Sequence, residues 1–386
     1  MSLRAGKYSE QQAGYRAFVP RDLPPTPPLT MERPLLGMLC AAERALGRFS
    51  GYAESLEDPD GLAELALRAE VVKSANLDGA AVSLTDLLRW ELDGRHGPGR
   101  EQLSRGDVRM AANGVDAVKW GLSQVARKSE ISSMLMMQLH ARLFEGLRGR
   151  DSGAGHLRTS EIWIGPSGST LASATYVPPP PAMVPDLMRS LEQFIQSDAP
   201  SLPPLVGAAC TYYQLETIHP FLDGSGRLAR MVIPLLLRSD GVALPQLLGL
   251  SASLARDRTE HFRRLQLVRE GGDWESWVDY FLRGIRSAAD DAVIRLSSAQ
   301  QLRRRHRQLV EERLRGSAGA ALCVVDSLLV QPLVSVDSVA HIAGRTYANA
   351  NRLVQRLEEM GLLREVSGGR RNRRFCCEAH VRLLEA

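Results

Sequence analysis

The sequence predicts a mainly α protein, a helical core that carries one β-hairpin and ends in a winged helix-turn-helix domain. Three observations lead there. Apolar residues recur at helical spacing over most of the chain between Pro34 and residue 315. One β-rich stretch interrupts them: SEIWIGPSGSTLASATYVPPPP places two extended runs around a Gly-Ser turn and ends in four prolines, which reads as a hairpin. From residue 319 the order changes to three short helical patterns followed by a pair of arginine-rich extended runs.

At the N-terminal end, residues 1–33 contain PRDLPPTPPL, whose proline density forbids helix and predicts an extended surface extension ahead of the fold. Residues 34–115 read as an N-terminal helical module: LLGMLCAAERALGRF and LAELALRAEVVKSANL have helical apolar spacing, and SLTD at 83–86 has capping-box spacing with Asp as the acidic partner. Residues 116–285 make the core. There ISSMLMMQLHARLFEGL is helical and stops at GRDSGAG, the hairpin comes next, and helices resume at MVPDLMRSLEQFIQ, LPPLVGAACTYYQLETI and RLARMVIPLLLRSDG. In the last of these Gly241 reads as a C-cap and Pro234 predicts a kink. A linker helix covers 286–317, inside a helical pattern that starts at residue 274. Residues 318–386 give AALCVVDSLLV, SVDSVAHIAG, TYANANRLVQRLEEMG and LLREVSGGRRNRRFCCE, the order helix, helix, recognition helix, wing.

Composition bounds the function classes. At 386 residues and 44% apolar content the chain is long enough for more than one core. No run approaches the roughly 18 apolar residues of a membrane span, and MSLRAGKYSEQQ lacks the apolar centre of a signal peptide, so the expectation is a cytoplasmic protein with no membrane partner. The five cysteines are odd in number and show no metal-ligand spacing, so neither disulfides nor zinc are indicated. Residues 301–386 hold fifteen Arg against nine Asp and Glu, which makes the C-terminal end the basic one. That asymmetry fits a surface for nucleic acid or an acidic partner. With only four Lys among 48 basic residues, a general bias toward Arg explains it equally well.

The chemistry concentrates in HPFLDGSGRLAR, residues 219–230. Gly224 and Gly226 flank one residue just before a helix, so free backbone N–H groups and the helix dipole converge on one point, an anion site. Arg227 and Arg230 lie on one face of the first turn and add charge-assisted donors suited to a polyphosphate. Asp223 is placed to hold Mg²⁺ together with substrate phosphates. His219, beside Pro220, is placed as a base toward a hydroxyl that attacks phosphorus. The stretch lacks the GK[ST] ending of a P-loop, which disfavours ordinary ATPase or kinase chemistry.

HPFLDGSGRLAR resembles the signature of the Fic family, HxFx(D/E)GNGRxxR, and departs from it only at Ser225, where the family has Asn. LRAEVVKSANLDGAAVSLTDLL resembles the family's inhibitory region, whose (S/T)xxxE(G/N) motif reads here as Ser74, three residues, Asp78, Gly79. TSEIWIGPSG and YVPPPPAMVPDLMRSLEQF resemble the target-binding flap and the segment after it. LSASLARDRTEHFRRLQLVREGGDWESWVDYF resembles the segment that closes the core beside the adenine, so the likeness covers residues 34–285. The resemblance implies an all-α Fic core with a hairpin flap that transfers AMP from ATP to a Ser, Thr or Tyr hydroxyl of a target protein. His219 would be the base, Asp223 the Mg²⁺ ligand, and Gly224, Ser225, Gly226, Arg227, Leu228, Ala229 and Arg230 the ATP site, with Asp257 where relatives carry a nucleotide-contacting Asn. Ile162, Trp163, Ile164 and Gly165 would hold the target by strand addition. Ser74, Asp78 and Gly79 would inhibit by pairing Asp78 with Arg230, either directly or through water, because Asp is one methylene shorter than Glu.

Alternatives stay open at this point. Ser is poorer than Asn at a left-handed position in the nest and as a donor to the α phosphate. A slow enzyme, another donor nucleotide, a pseudoenzyme, removal of AMP from modified proteins, a winged helix that docks proteins, or a DNA-binding regulator with a nucleotide-sensing Fic core all fit. For the last, Arg370, Arg371, Arg373 and Arg374 in the wing suit phosphates, and Thr346, Tyr347, Asn349 and Asn351 suit base edges. A homodimer is a further open possibility, and the target protein is not legible.

Overall fold

The computed structural model describes residues 4–11, 14–93, 105–147, 153–197, 202–369 and 371–385. Among them the chain is mainly helical, with two small antiparallel sheets. It opens with a hairpin, β1 (Gly6–Glu10) and β2 (Arg16–Pro20), and continues through α1 (Arg33–Glu54), α2 (Pro59–Leu77), α3 (Leu84–Leu92), α4 (Arg105–Ala126) and α5 (Ser133–Leu143). After an irregular stretch come α6 (Val184–Ile195), α7 (Pro204–Ile218), α8 (Ser225–Ser239), α9 (Leu250–Ala255), α10 (Arg258–Gly271) and α11 (Trp274–Leu314). The C-terminal part holds α12 (Gly319–Ser327), β3 (Leu333–Ser335), α13 (Val336–Ala343), α14 (Tyr347–Glu359), β4 (Arg364–Glu365), β5 (Arg374–Cys376) and α15 (Glu378–Glu385).

The core forms around α7. From Leu205 to Ile218 this helix is buried almost all round, as its apolar composition requires of a helix with no polar face. Helix α11 covers it with Trp274, Trp277, Phe281 and Ile285, and α1 lies along α11 through Leu35, Leu39, Ala42, Leu46 and Phe49, one stripe at helical spacing. The expected capping box forms: the Ser83 hydroxyl accepts from the Asp86 amide and the Asp86 carboxylate accepts from the Ser83 amide. Helix α8 runs without a break through Pro234, and Gly241 follows its C-cap with φ of 87°.

The first residues differ from the expected surface extension. Residues 6–20 pair as a hairpin with register Gly6↔Pro20 to Glu10↔Arg16. Phe18 and Ala17 are fully buried, and the Phe18 amide donates to the Val177 carbonyl at 2.9 Å. Pro20 ends β2 and the other prolines follow it, so the proline density of residues 20–28 said nothing about the residues ahead of it. The flap differs as well. Only one antiparallel bridge, Ile164↔Tyr176, joins its two arms. Pro166 and Pro178 have no N–H to donate, which limits the ladder on both sides of that bridge. The preceding GRDSGAG lies partly outside the described residues.

A second hydrophobic core gathers Val310 of α11 with Val324, Val325, Val334, Val339, Val354, Leu357 and Phe375. Its sheet has the order β3-β5-β4, all antiparallel, with Leu333 and Arg364 both opposite Cys376. Helix α15 follows β5 and was not foreseen. Val381 packs with Leu65 of α2 and with Leu84 and Leu88 of α3. Among the described residues no helix is long and apolar enough to cross a membrane.

Candidate active site

The site is built where α7 ends. His219 caps α7 in the left-handed conformation, φ 48°, uncommon for a residue with a side chain. Pro220 keeps the helix from continuing. Arg158 fixes the corner: its Nε donates to the His219 carbonyl at 2.8 Å, and its Nη2 to the carbonyls of Pro179 at 2.6 Å and Ile218 at 3.3 Å. The carbonyls of Ile218 and His219 are orphans at the negative end of α7, and a guanidinium suits them. Burial lowers Arg158 to about 10, so it is still charged at neutral pH. Burial likewise lowers His219 to about 4. Its Nδ1 is buried and has no hydrogen-bond partner among the described residues.

Residues 221–224 then turn into α8. Gly224 sits at φ 78°, and a Cβ there would stand 2.8 Å from the Phe144 ring, so glycine is required twice over. The amides of the first turn of α8 have no intrahelical acceptor. His140 holds the turn from α5. Its Nδ1 accepts from the Gly155 amide at 3.0 Å, which leaves Nε2 to donate to the Asp223 carbonyl at 2.9 Å. Its ring stacks on Phe221 with centroids 3.8 Å apart. Burial lowers it to about 4, so the tautomer is neutral. Ser225 corrects one expectation: it lies in α8, and the left-handed positions are His219 and Gly224. Its hydroxyl turns inward, accepting from the Phe221 amide at 3.0 Å and donating to the Phe221 carbonyl at 3.2 Å.

The two arginines meet α2. Arg230 Nη2 donates to the Asp78 carboxylate at 2.6 Å and to the Ser74 carbonyl at 3.1 Å, while its Nε donates to the Ser74 hydroxyl at 2.7 Å. Arg227 Nε reaches the other Asp78 oxygen at 3.3 Å. Asp78 is therefore bound directly, with no water between, and it also ends α2, with Gly79 turning the chain at φ 94°. The fourth partner of Arg230 is Glu216, at 3.3 Å from Nη1. Burial opposes the Arg230 charge, yet Asp78, Tyr212 and Glu216 outweigh it and hold the guanidinium above its ordinary value. Burial lifts the Glu216 carboxyl, with the Arg230 charge pulling the other way. Sequence reasoning missed Glu216, Arg158 and His140. The signal for Glu216 was present: an acid amid the apolar residues of α7 needs a buried cation.

The remaining candidates scatter. Asp223 is half-exposed beside the turn, 3.9 Å from Arg227 Nη2. Gly226 has room for no side chain without crowding Arg230, Asp78 and Glu216, each just over 3 Å from a Cβ built there. Leu228 and Ala229 are buried on the inner face of α8, so only their backbone borders the site. Asp257 is exposed and caps α10 through the Glu260 amide. Next to it Arg258 donates to the Leu77 carbonyl at 2.8 Å and ties α10 to the end of α2. In the flap Trp163 and Ile164 are exposed and Ile162 half-buried, Gly165 is exposed, and the Trp163 indole donates to the Ser169 carbonyl. Tyr176 anchors the flap by donating to the Thr217 carbonyl at 2.5 Å. At the far end, Arg373 donates to Asn351 and Arg374 pairs with Asp93 at 2.6 Å, while Thr346 caps α14, Tyr347 and Asn349 are exposed, as is Arg371, and Arg370 lies outside the described residues.

Comparison with known proteins agrees with this architecture. The sequence profile described as Fic/DOC family matches residues 130–237, and that described as Fic/DOC family N-terminal matches residues 36–123. The protein adenylyltransferase Fic of Drosophila willistoni is 29% identical over 159 residues, 40% of this chain and 28% of that protein. The namesake from Drosophila grimshawi is also 29% identical over 159 residues, 40% of this chain and 29% of its own length. The match thus spans little more than a quarter of these relatives. A Fic family protein from Desulfovibrio desulfuricans shares the fold with a TM-score of 0.58 at 18% identity, over 91% of this chain and 97% of its own. Fic-1 from C. elegans does so with a TM-score of 0.51 at 20% identity, over 68% and 73%. With both halves of the profile matched in order, and the solved Fic structures sharing its fold, the chain belongs to the Fic/DOC family.

Proposed function

We propose that this chain is a protein adenylyltransferase that moves AMP from ATP to a Ser, Thr or Tyr hydroxyl of a target protein, and that Asp78 holds it in an inhibited state. One observation carries the reading: Arg227 and Arg230 both converge on the Asp78 carboxylate beside the glycine turn, so an anion-binding site is satisfied from within the chain. An ATP γ phosphate competes for the same donors. In the transfer, neutral His219 accepts the hydroxyl proton, the hydroxyl oxygen bonds to the α phosphorus, and the bond from that phosphorus to the β-phosphate oxygen breaks, releasing pyrophosphate. Arg227 and Arg230 hold the β and γ phosphates, and the amides of residues 224–226 receive the α phosphate. The half-exposed carboxylate of Asp223, which has no closer cation than Arg227 at 3.9 Å among the described residues, fits a Mg²⁺ ligand. That ion would offset the charge of the leaving pyrophosphate. Trp163 and Ile164 support the flap as the target's docking edge, being large, apolar and exposed.

We further infer a winged-helix domain over residues 318–386, supported by the order α12, α13, α14, β4, β5 around a separate core. Arg373 and Arg374 are engaged with Asn351 and Asp93, which favours a structural use over DNA contact. Incubation with α-labelled ATP and candidate targets, beside a His219→Ala control, tests the enzyme reading. Label on protein that vanishes in the control supports it. No label on any protein, with operator-like DNA bound in a steeply salt-dependent way, overturns it in favour of a regulator.

A further inference from the structure

The start of α15 brings three metal donors together, none of them part of the anion site. Cys377 follows β5, His380 lies in the first turn of α15, and His306 comes from α11. The Cys377 sulfur and one ring nitrogen of each histidine all lie within 4.8 Å of one another. Cys377 and His380 are 1% exposed and His306 is half-buried. The two rings meet edge-on with centroids 5.4 Å apart. Among the described residues neither nitrogen of His380 has a hydrogen-bond partner, and neither does Nδ1 of His306. A buried polar atom left unpaired is costly, and native proteins seldom leave three such atoms in one place.

We propose that Cys377, His306 and His380 form a zinc site. A thiolate and two imidazoles are the donor set of a borderline-soft ion, whereas Mg²⁺ and Ca²⁺ call for oxygen ligands. On binding, the Cys377 thiol gives its proton to solvent, and the sulfur and two nitrogens each supply a lone pair. Water or an outside ligand takes the fourth position of the tetrahedron. The spacing Cys377-x-x-His380 is short, but the third ligand lies on a helix far upstream, so cysteine spacing alone does not reveal it. The ion pins α15 to α11, the helix whose first half packs in the catalytic core. Through Val381, α15 also rests on α2, whose C-cap is Asp78.

Cobalt titration of the full chain tests this, in a Cys40→Ser/Cys323→Ser background that removes the two exposed thiols. After chelator treatment and with no affinity tag, Co²⁺ should give a near-ultraviolet thiolate charge-transfer band that saturates at one equivalent and is displaced by Zn²⁺. Cys377→Ser should abolish that band. His306→Ala, at the half-buried position least risky for folding, should weaken Co²⁺ at least about tenfold, and Zn²⁺ should raise its melting temperature less than that of the background chain. Absence of the band in the background chain overturns the site without need of any variant. Its persistence in Cys377→Ser, or undiminished affinity in His306→Ala, overturns it too.

Discussion

Asp78 reaches Arg230 at 2.6 Å although it is shorter than Glu, because α2 ends over the first turn of α8 and Ser74, one turn earlier, grips the same guanidinium. Direct contact removes any reason for Asp78→Glu to inhibit better, since the space beside Gly226 is already tight. Asp78→Gly should raise auto-modification and strengthen ATP binding about tenfold or more, given about 1.5–3 kcal/mol per charged hydrogen bond released. Unchanged labelling in Asp78→Gly, with Arg230→Ala still inactive, would leave the catalytic reading and sink the inhibitory one. Ser225 carries a second expectation. Its hydroxyl serves the buried Phe221 amide, so Ser225→Ala should lower stability by about 1–3 kcal/mol in denaturant unfolding, with a value near zero showing that water replaces the hydroxyl. For His219, burial holds the ring neutral down to about pH 4. A neutral base stays competent over that whole range, so kcat/KM should fall only as pH approaches 4. An acid limb near the ordinary imidazole value of about 6.5 would mean that the ring is solvated in the active state.

At the scale of elements, what was legible in the sequence was what is local. The capping box at Ser83 and the end of α2 at Asp78 depend on a few neighbouring residues, and each stands where its pattern indicated, whereas α8 begins two residues ahead of its pattern, at Ser225. The glycine turn and its two arginines were readable for the same reason. What was not legible depends on contacts distant in sequence. Strands of five residues at 6–10 and 16–20 carry little signal by themselves, and they are held because Phe18 bonds Val177 and Tyr15 packs beside it. Arg158 gave no cue at all, since its partners are backbone carbonyls of 179, 218 and 219. Its role is positional and testable. A lysine keeps the charge but not the planar fork, so Arg158→Lys should lower kcat while leaving ATP affinity near the wild-type value, because the phosphate donors are elsewhere. An equal loss in ATP binding would show that the whole turn collapsed.

Across the whole molecule, stability should depend on pH through histidines that the core keeps uncharged. His261 is fully buried between Tyr212 and Trp277, and its Nε2 pairs with the Tyr212 hydroxyl at 3.0 Å. Burial, helped by the Arg230 charge, lowers it to about 3, and burial lowers His219 to about 4. In the unfolded chain both return to about 6.5. Between these values the unfolded state binds more protons than the folded one, so stability rises with pH there and is lost as pH falls from about 6.5 toward 4. Glu70 and Glu216 are shifted up by burial and work in the opposite direction just above their ordinary value. Carboxylates held down by partners, such as Glu275 with Arg4 and Thr30, add to the loss only below about 4.5. Over the interval from about 4.5 to 6.5 the histidines therefore favour the fold as pH rises, while the raised carboxyls of Glu70 and Glu216 oppose them. His261→Gln keeps a hydrogen-bonding group for Tyr212 but has nothing to titrate. Its urea midpoint should fall less steeply than the wild type's over that interval, even if its stability at neutral pH is lower. Parallel curves for the two proteins would show that His261 takes up its proton without unfolding, and that the acid sensitivity arises elsewhere.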